Sequence, residues 1–268
     1  GSDLDILFVY SSDGKTTGPS VISNHEYFSK LAERVCYILS AYTAEGSAYR
    51  VDTRLRPTGS KGPIAQSLRA FKDYYRDKAE LWEKQALTKT RFITGDRGLG
   101  RKFLRLAEET VYSFHYDPST VLKIKEMKKR MEQELSKEGP EEIDLKFGPG
   151  GIVELEFIIQ TMQLMNGKEH PELRVPNSYI VIKRLGRLNL ISGGDARLME
   201  NAYLFLRGVE SRLRVLRNLP SSILHIKDER LLPLARGMGY DDGEKFLKAL
   251  KTFREKIREI YDRGLFFS

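Results

Sequence analysis

The sequence GSDLDILFVY, residues Gly1–Tyr10, indicates both the class of the fold and the place of its polar groups. A glycine–serine turn and two acidic residues lead directly into an apolar run, and a second turn cluster, SSDG, follows. Such a run predicts a strand. Because residues two apart on a strand share a face, we expect Asp3 and Asp5 to point one way. The apolar residues at even positions, from Leu4 to Tyr10, are expected to face a core.

A second acidic strand is predicted at residues 47–56, where the chain is stopped by the turn sequence PTGS. The polar face of this strand would carry Arg50, Asp52, Arg54 and Arg56. If the two strands are neighbours with their polar faces together, Asp3, Asp5 and Asp52 converge. An Asp-x-Asp pair alone is a weak signal, since the same pattern occurs on solvated edge strands with surface ion pairs. The Gly-Ser turn before the pair and the third acid, Asp52, favour a functional site over surface ion pairs.

Three carboxylates at one place repel each other unless a cation joins them. Mg²⁺ prefers oxygen ligands and completes its shell with water and phosphate oxygens. Two such ions activate an attacking oxygen and stabilise the leaving oxygens in a displacement at phosphorus. We therefore predict Asp3, Asp5 and Asp52 as catalytic and metal-binding residues. Arg54 and Arg56 are predicted to bind phosphate oxygens, and the turn at Gly1 and Ser2 to let the backbone approach them.

The remaining pattern predicts an α+β protein with two domains, residues 1–95 and 96–268. Up to about Gly95 strands and helices are mixed, with one helix capped by Asn24 and another capped by Ser67. Beyond it nearly every segment is helical, which favours an all-α bundle. The periodic segments lie at about 97–114, 118–137, 152–166, 177–189, 195–217 and 243–264.

Several polar residues outside the acidic strands leave alternatives open. Segment 136–142 is predicted to be a mobile connection, and the glycine-rich turn 148–151 is either an anion site or an ordinary turn. Glu156, on an apolar helix, needs a buried partner, for which Arg207 and Arg212 are candidates. Glu83 is expected to brace the acidic strands by ion pairing.

Composition excludes some classes of function and favours others. Of the 268 residues, 40% are hydrophobic and 31% charged, which is typical of a globular protein, and no apolar run is long enough to span a membrane. The single cysteine indicates a reducing cytoplasm, and the four histidines lack metal-ligand spacing. A net charge of +8 favours an anionic partner. Without a basic run or interleaved aromatic residues, nucleic acid is not the favoured one.

The acidic motif matches the DNA polymerase β-like nucleotidyltransferase superfamily, which carries Gly-Ser and Asp-x-Asp on one strand and a third acid on a later one. Longer blocks narrow the resemblance to the glutamine synthetase adenylyltransferase family and extend over essentially the whole chain. These blocks are GSDLDILFVY, YRVDTRLRPTGSKGP, YYRDKAELWEKQALTKTRF, KFGPGGIVELEFIIQTMQL, AYLFLRGVESRLRVL and LARGMGY.

The resemblance implies a polymerase β-like catalytic domain with a small mixed sheet, followed by a helical bundle. Family members transfer AMP from ATP to a tyrosine of glutamine synthetase, or remove it by phosphorolysis to give ADP. Asp3, Asp5 and Asp52 map onto the metal-binding acids, and Asp52 is also expected to help deprotonate the attacking group. The PII signal protein is the expected regulator, with glutamine as a further effector.

The resemblance leaves three points open. The blocks do not decide between the adenylylating and the deadenylylating half. A uridylyltransferase of PII, a small-molecule nucleotidyltransferase and a silent binding module remain alternatives. The helix and glycine-rich turn that precede the Gly-Ser strand in family members have no counterpart here. We therefore expect an incomplete catalytic half, with the remaining phosphate contacts upstream.

Overall fold

The computed structural model describes residues 3–44, 46–217 and 222–264. The chain is helix-rich with small sheets, which confirms the α+β class. It forms two compact units that divide between Val111 and Tyr112, close to the end of the helix that starts at Arg97. The predicted boundary after residue 95 lies in the loop before that helix.

The first unit combines short strands with helices. Its elements are β1 (Leu4–Asp5), β2 (Phe8–Tyr10), α1 (Asn24–Ser40), β3 (Tyr42–Thr43), β4 (Gly46–Ser47), β5 (Val51–Asp52), a 3₁₀ turn (Gly59–Lys61), β6 (Ala65–Ser67), α2 (Leu68–Asp77), α3 (Leu81–Leu87) and α4 (Arg97–Tyr112). The predicted first strand is therefore two short ones. β1 pairs in parallel with β5, β2 pairs in parallel with β6, and β3 and β4 form an antiparallel hairpin.

Helix α1 covers the β2–β6 pair. Tyr10, Ala32 and Ala65 form the buried centre of this contact, and the rings of Tyr10 and Phe28 stack with centroids 5.2 Å apart. The expectation that Leu4 also faces the core is wrong, because β1 lies outside this layer and its leucine is exposed.

The helix starts follow side-chain capping. Ser67 caps α2 as predicted, accepting a hydrogen bond from the Ala70 N–H at 3.3 Å. Helix α1 differs from the prediction, because Ser23 and not Asn24 is its cap, accepting from the Glu26 N–H at 3.1 Å. The Asn24 amide instead donates to the Ser12 carbonyl, at 2.9 Å.

The second unit is mostly helical. Its elements are α5 (Pro118–Leu135), β7 (Glu142–Asp144), α6 (Ile152–Asn166), a 3₁₀ turn (Pro171–Leu173), α7 (Ser178–Arg187), α8 (Gly193–Arg217), β8 (Ile223–His225), α9 (Leu231–Gly237) and α10 (Gly243–Arg263). Five of the six predicted helices are α5, α6, α7, α8 and α10, the sixth is α4 of the first unit, and all six are confirmed to within a few residues. Helix α9 was not predicted. The all-α description is wrong, because β7 and β8 pair as antiparallel strands. Within the described residues, no helix has the length and apolar character needed to cross a bilayer.

Helix α6 is the central element of this unit. It is buried on nearly every side and contacts α5, α7, α8 and α10. A helix that is apolar all round needs such surroundings. Glu156 on this helix has one of its two predicted partners, because it pairs with Arg207 at 3.1 Å. The other candidate, Arg212, donates to the Gly208 carbonyl.

A buried ion cluster connects the start of α6 to α5 and α10. The sequence pattern does not predict it. It comprises Lys128, Glu132, Glu154 and Arg258, and we call it the Glu154 cluster. Glu154 is fully buried, and its carboxylate accepts hydrogen bonds from Lys128, from Arg258 at 2.7 Å and from the Gly150 N–H at 3.1 Å. The amide N–H groups of the glycine-rich turn are thus engaged by the protein itself, which favours the reading of an ordinary turn.

Segment 136–142, which we expected to be mobile, is tied to its surroundings. Glu138 forms two hydrogen bonds with Arg254, at 2.8 and 2.9 Å, and accepts a third from the Asp144 N–H. The side chain of Asp144 in turn accepts from the Lys137 N–H at 3.1 Å. These contacts hold the segment between α10 and β7.

The Glu154 cluster predicts a pH dependence of stability. Burial opposes ionisation of Glu132, but hydrogen bonds and charge from Lys128, together with Arg258, outweigh it and lower its pKa. The folded protein therefore binds this proton less tightly than the unfolded chain does. The contribution of Glu132 is present above its unfolded pKa, about 4.3, and is lost as the pH falls through the lower folded value.

We therefore expect Glu132→Gln to destabilise the protein most near neutral pH, with the difference shrinking as the pH falls below about 4. Urea unfolding of both proteins over that range measures it. Glu134→Gln, at an exposed position of the same helix, is the control. A difference independent of pH would contradict the prediction.

The turn before α6 predicts a second stability effect. Gly150 has a φ of +68°, and a β-carbon there would lie 2.0 Å from the carbonyl oxygen of Arg254. Gly150→Ala is expected to lower the free energy of unfolding by about 2 to 3 kcal/mol, from backbone strain and overpacking. Gly239→Ala separates the two terms, because its φ is +86° but no atom lies within 4 Å. Urea unfolding should show a smaller loss there, about 1 kcal/mol, and equal losses would refute the close approach.

Candidate active site

The pairing of β1 with β5 brings two of the predicted acids side by side. Asp5 is the register partner of Asp52, and Leu4 is that of Val51. The Ile6 N–H donates to the Asp52 carbonyl at 2.8 Å, and the Leu4 N–H donates to the Arg50 carbonyl at 2.7 Å. The prediction that the two acidic segments are neighbouring strands is confirmed. The residue before β1, Asp3, lies at its exposed end.

The second acidic strand is much shorter than predicted, and Asp52 is the reason. Its carboxylate accepts a hydrogen bond from the Arg54 backbone N–H at 2.8 Å, which closes a turn. Aspartate commonly ends extended structure in this way, by bonding the backbone two residues on. Residues 47–56 are therefore not one strand, and Arg54 and Arg56 lie in the following turn and not on a strand face.

The side chain of Arg54 returns to the same carboxylate. Its Nε lies 3.0 and 2.8 Å from the two oxygens of Asp52, and Nη2 contacts one of them. Hydrogen bonding and charge from Arg54 lower the pKa of Asp52 despite its burial. The pKa of Arg54 is raised, mainly by Asp52 and to a smaller extent by the charges of Asp3 and Asp5. The three predicted acids thus act together on one guanidinium.

Asp3 pairs with Arg50. The sequence pattern places Arg50 on the polar face of the second strand but predicts no role for it. Arg50 Nε lies 3.6 Å from Asp3 Oδ1, and both side chains are exposed. A surface pair of this length contributes little to stability. Asp3 is therefore not fixed by this contact.

Arg56 is held by the loop that follows β5. Its Nη1 donates to the carbonyl and the hydroxyl of Thr53, each at 2.7 Å, and its Nε donates to the Gly62 carbonyl at 3.0 Å. The same loop contains Thr58, whose φ of +62° is unusual for threonine. Here Arg56 shapes the loop, whereas Arg54 faces solvent. The prediction that Arg56 binds phosphate stays a prediction.

Glu83, which we expect to brace the acidic strands, bonds the two helices that follow β6. Glu83 is buried and accepts hydrogen bonds from the Tyr74 hydroxyl, at 3.0 and 3.1 Å, and from the Glu80 N–H. Glu83 thus joins α2 to the start of α3 through hydrogen bonds and a helix cap. That it braces the acidic strands stays a prediction.

The donor set suits a hard divalent cation, although a complete cluster is not assembled. Within residues 3–44, 46–217 and 222–264, no three histidine, cysteine, aspartate or glutamate side chains are grouped so as to hold a metal. Asp5 and Asp52 are nevertheless aligned in register. One or two carboxylates plus water and substrate phosphate are what Mg²⁺ commonly takes. The residues present fit the ion. Gly1 and Ser2 lie outside the described residues.

Two family sequence models match the chain. The sequence model of glutamate-ammonia ligase adenylyltransferase matches residues 1–106, and that of GlnD PII-uridylyltransferase matches residues 120–265. The chain belongs to the glutamine synthetase adenylyltransferase family. Both acidic segments fall within the first match, and the helices from α5 to α10, apart from the first two residues of α5, fall within the second.

Relatives of this family align with nearly the entire chain. The bifunctional glutamine synthetase adenylyltransferase/adenylyl-removing enzyme of Methylococcus capsulatus is 36% identical over 260 residues, which are 97% of this chain and 27% of that protein. The enzymes of the same name from Thioalkalivibrio sulfidiphilus and Chromobacterium violaceum are 34% and 33% identical over 98% of the chain, and 27% and 29% of their own lengths. The chain spans about a quarter of these adenylyltransferase-family relatives.

Proposed function

We propose that this chain carries a Mg²⁺-dependent nucleotidyltransferase site that adds AMP to a tyrosine of glutamine synthetase or removes it by phosphorolysis. Support comes from the register of Asp5 with Asp52, because this parallel pair aligns the acids of the family's motif. The proposal includes two domains, a polymerase β-like catalytic domain at residues 1–95 and a helical domain at residues 96–268.

Asp3, Asp5 and Asp52 would hold the cation. The bound ion would neutralise charge that develops on the phosphate oxygens and lower the pKa of a coordinated oxygen nucleophile. Asp52, the most buried of the three, would accept the proton of the attacking tyrosine hydroxyl during AMP addition. Pyrophosphate would leave from ATP in that step. AMP removal is a separate displacement, in which a phosphate oxygen is the nucleophile, the tyrosine oxygen leaves and takes up a proton, and ADP is the product. Arg54 is an exposed cation bonded to Asp52 and would bind a phosphate oxygen of ATP or ADP.

The direction of the reaction is tested with both substrates. Unmodified glutamine synthetase is offered with ATP and Mg²⁺, and adenylylated glutamine synthetase with phosphate and Mg²⁺. Intact-protein mass spectrometry follows the gain or loss of one AMP. Modification in either assay, abolished by Asp5→Asn, supports the proposal, and neither reaction running would refute it for this chain.

A uridylyltransferase is the second candidate, and the match of residues 120–265 to PII-uridylyltransferase favours it. Offering PII with radiolabelled UTP, beside glutamine synthetase with ATP, separates the two. A small-molecule nucleotidyltransferase would instead label neither protein. A silent binding module would show no metal-dependent heat of nucleotide binding by calorimetry.

The proposed regulation follows the family. PII would bind this protein or a longer one that contains it, and glutamine would act as a further effector. Adding each to the two glutamine synthetase assays tests this, because a regulator changes the rate or the balance of the reactions. The single cysteine of the sequence fits the reducing cytoplasm in which these partners would meet.

A further inference from the structure

Arg54 and Asp52 differ sharply in their freedom to move. The arginine side chain is 74% exposed, while the aspartate side chain is 14% exposed. Arg54 lies in a turn and reaches back over the carboxylate from the solvent side, with backbone and side chain both bonded to Asp52. The arginine is therefore the partner that has room to leave.

The guanidinium of Arg54 bonds the carboxylate oxygens of Asp52 that a metal ion would need as ligands. It covers both oxygens of Asp52 and is within electrostatic reach of Asp3 and Asp5. A divalent cation requires lone pairs of the same carboxylate, so the fork of hydrogen bonds and the metal compete for Asp52. Arg56 cannot act in this way, because its guanidinium is fixed to Thr53 and Gly62.

We propose that Arg54 is a positioning residue with two alternating partners. It holds the carboxylate of Asp52 until a divalent cation displaces it, and the released guanidinium then binds a phosphate oxygen of the nucleotide. This inference rests on the proposed function, since it takes Asp52 to be a metal ligand. It implies that removing Arg54 has opposite effects on the binding of metal alone and of metal with nucleotide.

The test measures binding of Mn²⁺, as a paramagnetic substitute for Mg²⁺, by electron paramagnetic resonance. Arg54→Gln should bind Mn²⁺ alone roughly two- to fivefold more tightly, because an exposed competing ion pair has been removed. The same variant should bind ATP with Mn²⁺ at least about tenfold more weakly, because a charged hydrogen bond to phosphate is lost. Arg54→Lys keeps the positive charge but not the pair of hydrogen bonds. Both of its binding constants should lie between those of the wild-type protein and those of Arg54→Gln.

Arg76→Gln is the matched control. Arg76 is an exposed arginine that makes a fork of two 2.8 Å hydrogen bonds with the adjacent Asp77 on α2. Its loss changes the net charge by the same amount and should alter neither binding constant. Melting temperatures show whether each variant is folded.

The outcomes separate this inference from the proposed function. If the wild-type protein binds Mn²⁺, Asp52→Asn abolishes that binding and Arg54→Gln strengthens it, Arg54 competes with the metal. If Arg54→Gln leaves Mn²⁺ binding unchanged or weakens it, the alternation is wrong while the metal site stands. If the wild-type protein binds no Mn²⁺, with or without ATP, the proposed function and this inference both fail.

Discussion

Replacing Asp52 by asparagine is expected to lower the rate of nucleotidyl transfer at least about a thousandfold, equivalent to roughly 4 kcal/mol of barrier. The substitution removes the negative charge that would bind the cation and accept the tyrosine proton. It keeps a side-chain oxygen, so the hydrogen bond from the Arg54 N–H, and with it the turn after β5, is retained. Activity and folding are thereby separated in one variant.

Single-turnover transfer of AMP and the melting temperature are the two measurements. Asp77→Asn is the control, because Asp77 also accepts a fork of hydrogen bonds from the arginine next to it. We expect this control to retain full activity. A rate within tenfold of wild type for Asp52→Asn would exclude Asp52 from the metal site and from proton transfer.

Replacing Glu154 by glutamine is expected to lower the free energy of unfolding by about 3 to 5 kcal/mol. Glu154 is fully buried, and the side chain of Lys128 is only 3% exposed. Removing one partner of a buried pair leaves the other charge desolvated and under-compensated. Glutamine still offers an oxygen to the Gly150 N–H, so the loss reports the charge and not the turn.

Urea unfolding measures this loss, with Glu259→Gln as the control. Glu259 makes an exposed pair with Lys256 on α10, and its replacement should cost about 0.5 kcal/mol or less. Adding Lys128→Met to Glu154→Gln should recover part of the stability, because the buried Lys128, which then has only Glu132 as a partner, is removed while Glu132 keeps its pair with Arg258. A loss for Glu154→Gln as small as that of the control would show that the cluster does not contribute.

Periodicity predicts the helices well because each buries a continuous apolar stripe. The predicted starts at residues 97, 118, 152 and 243 coincide with those of α4, α5, α6 and α10. The strands β7 and β8 were missed, since three residues are too few to show alternation. Non-local pairing, which no local pattern encodes, defines them.

The sequence predicts that the acidic residues of the candidate site are neighbours, but it does not predict the contacts of the arginines. The spacing of Asp3, Asp5 and Asp52 suggested neighbouring strands, and the register of Asp5 with Asp52 agrees. The length of the second strand was overestimated because alternation of polar and apolar residues continues past Asp52, whereas its side chain turns the backbone. Arg54 and Arg56 have the same side chain two positions apart, yet one is exposed and the other braces a loop. Only three-dimensional contacts distinguish them.

The link between β1 and β5 has a consequence for the order of folding. Among the residues that the structure describes, two residue pairs join these strands, and the connection between them runs through the whole of α1. Parallel pairing across such a distance forms late, because the intervening chain must first be ordered. We therefore expect Asp5 and Asp52 to meet only after α1 has packed on β2 and β6. Loosening that helix would separate the acids while the rest of the chain stayed folded, so catalytic competence should be lost at lower denaturant than global structure.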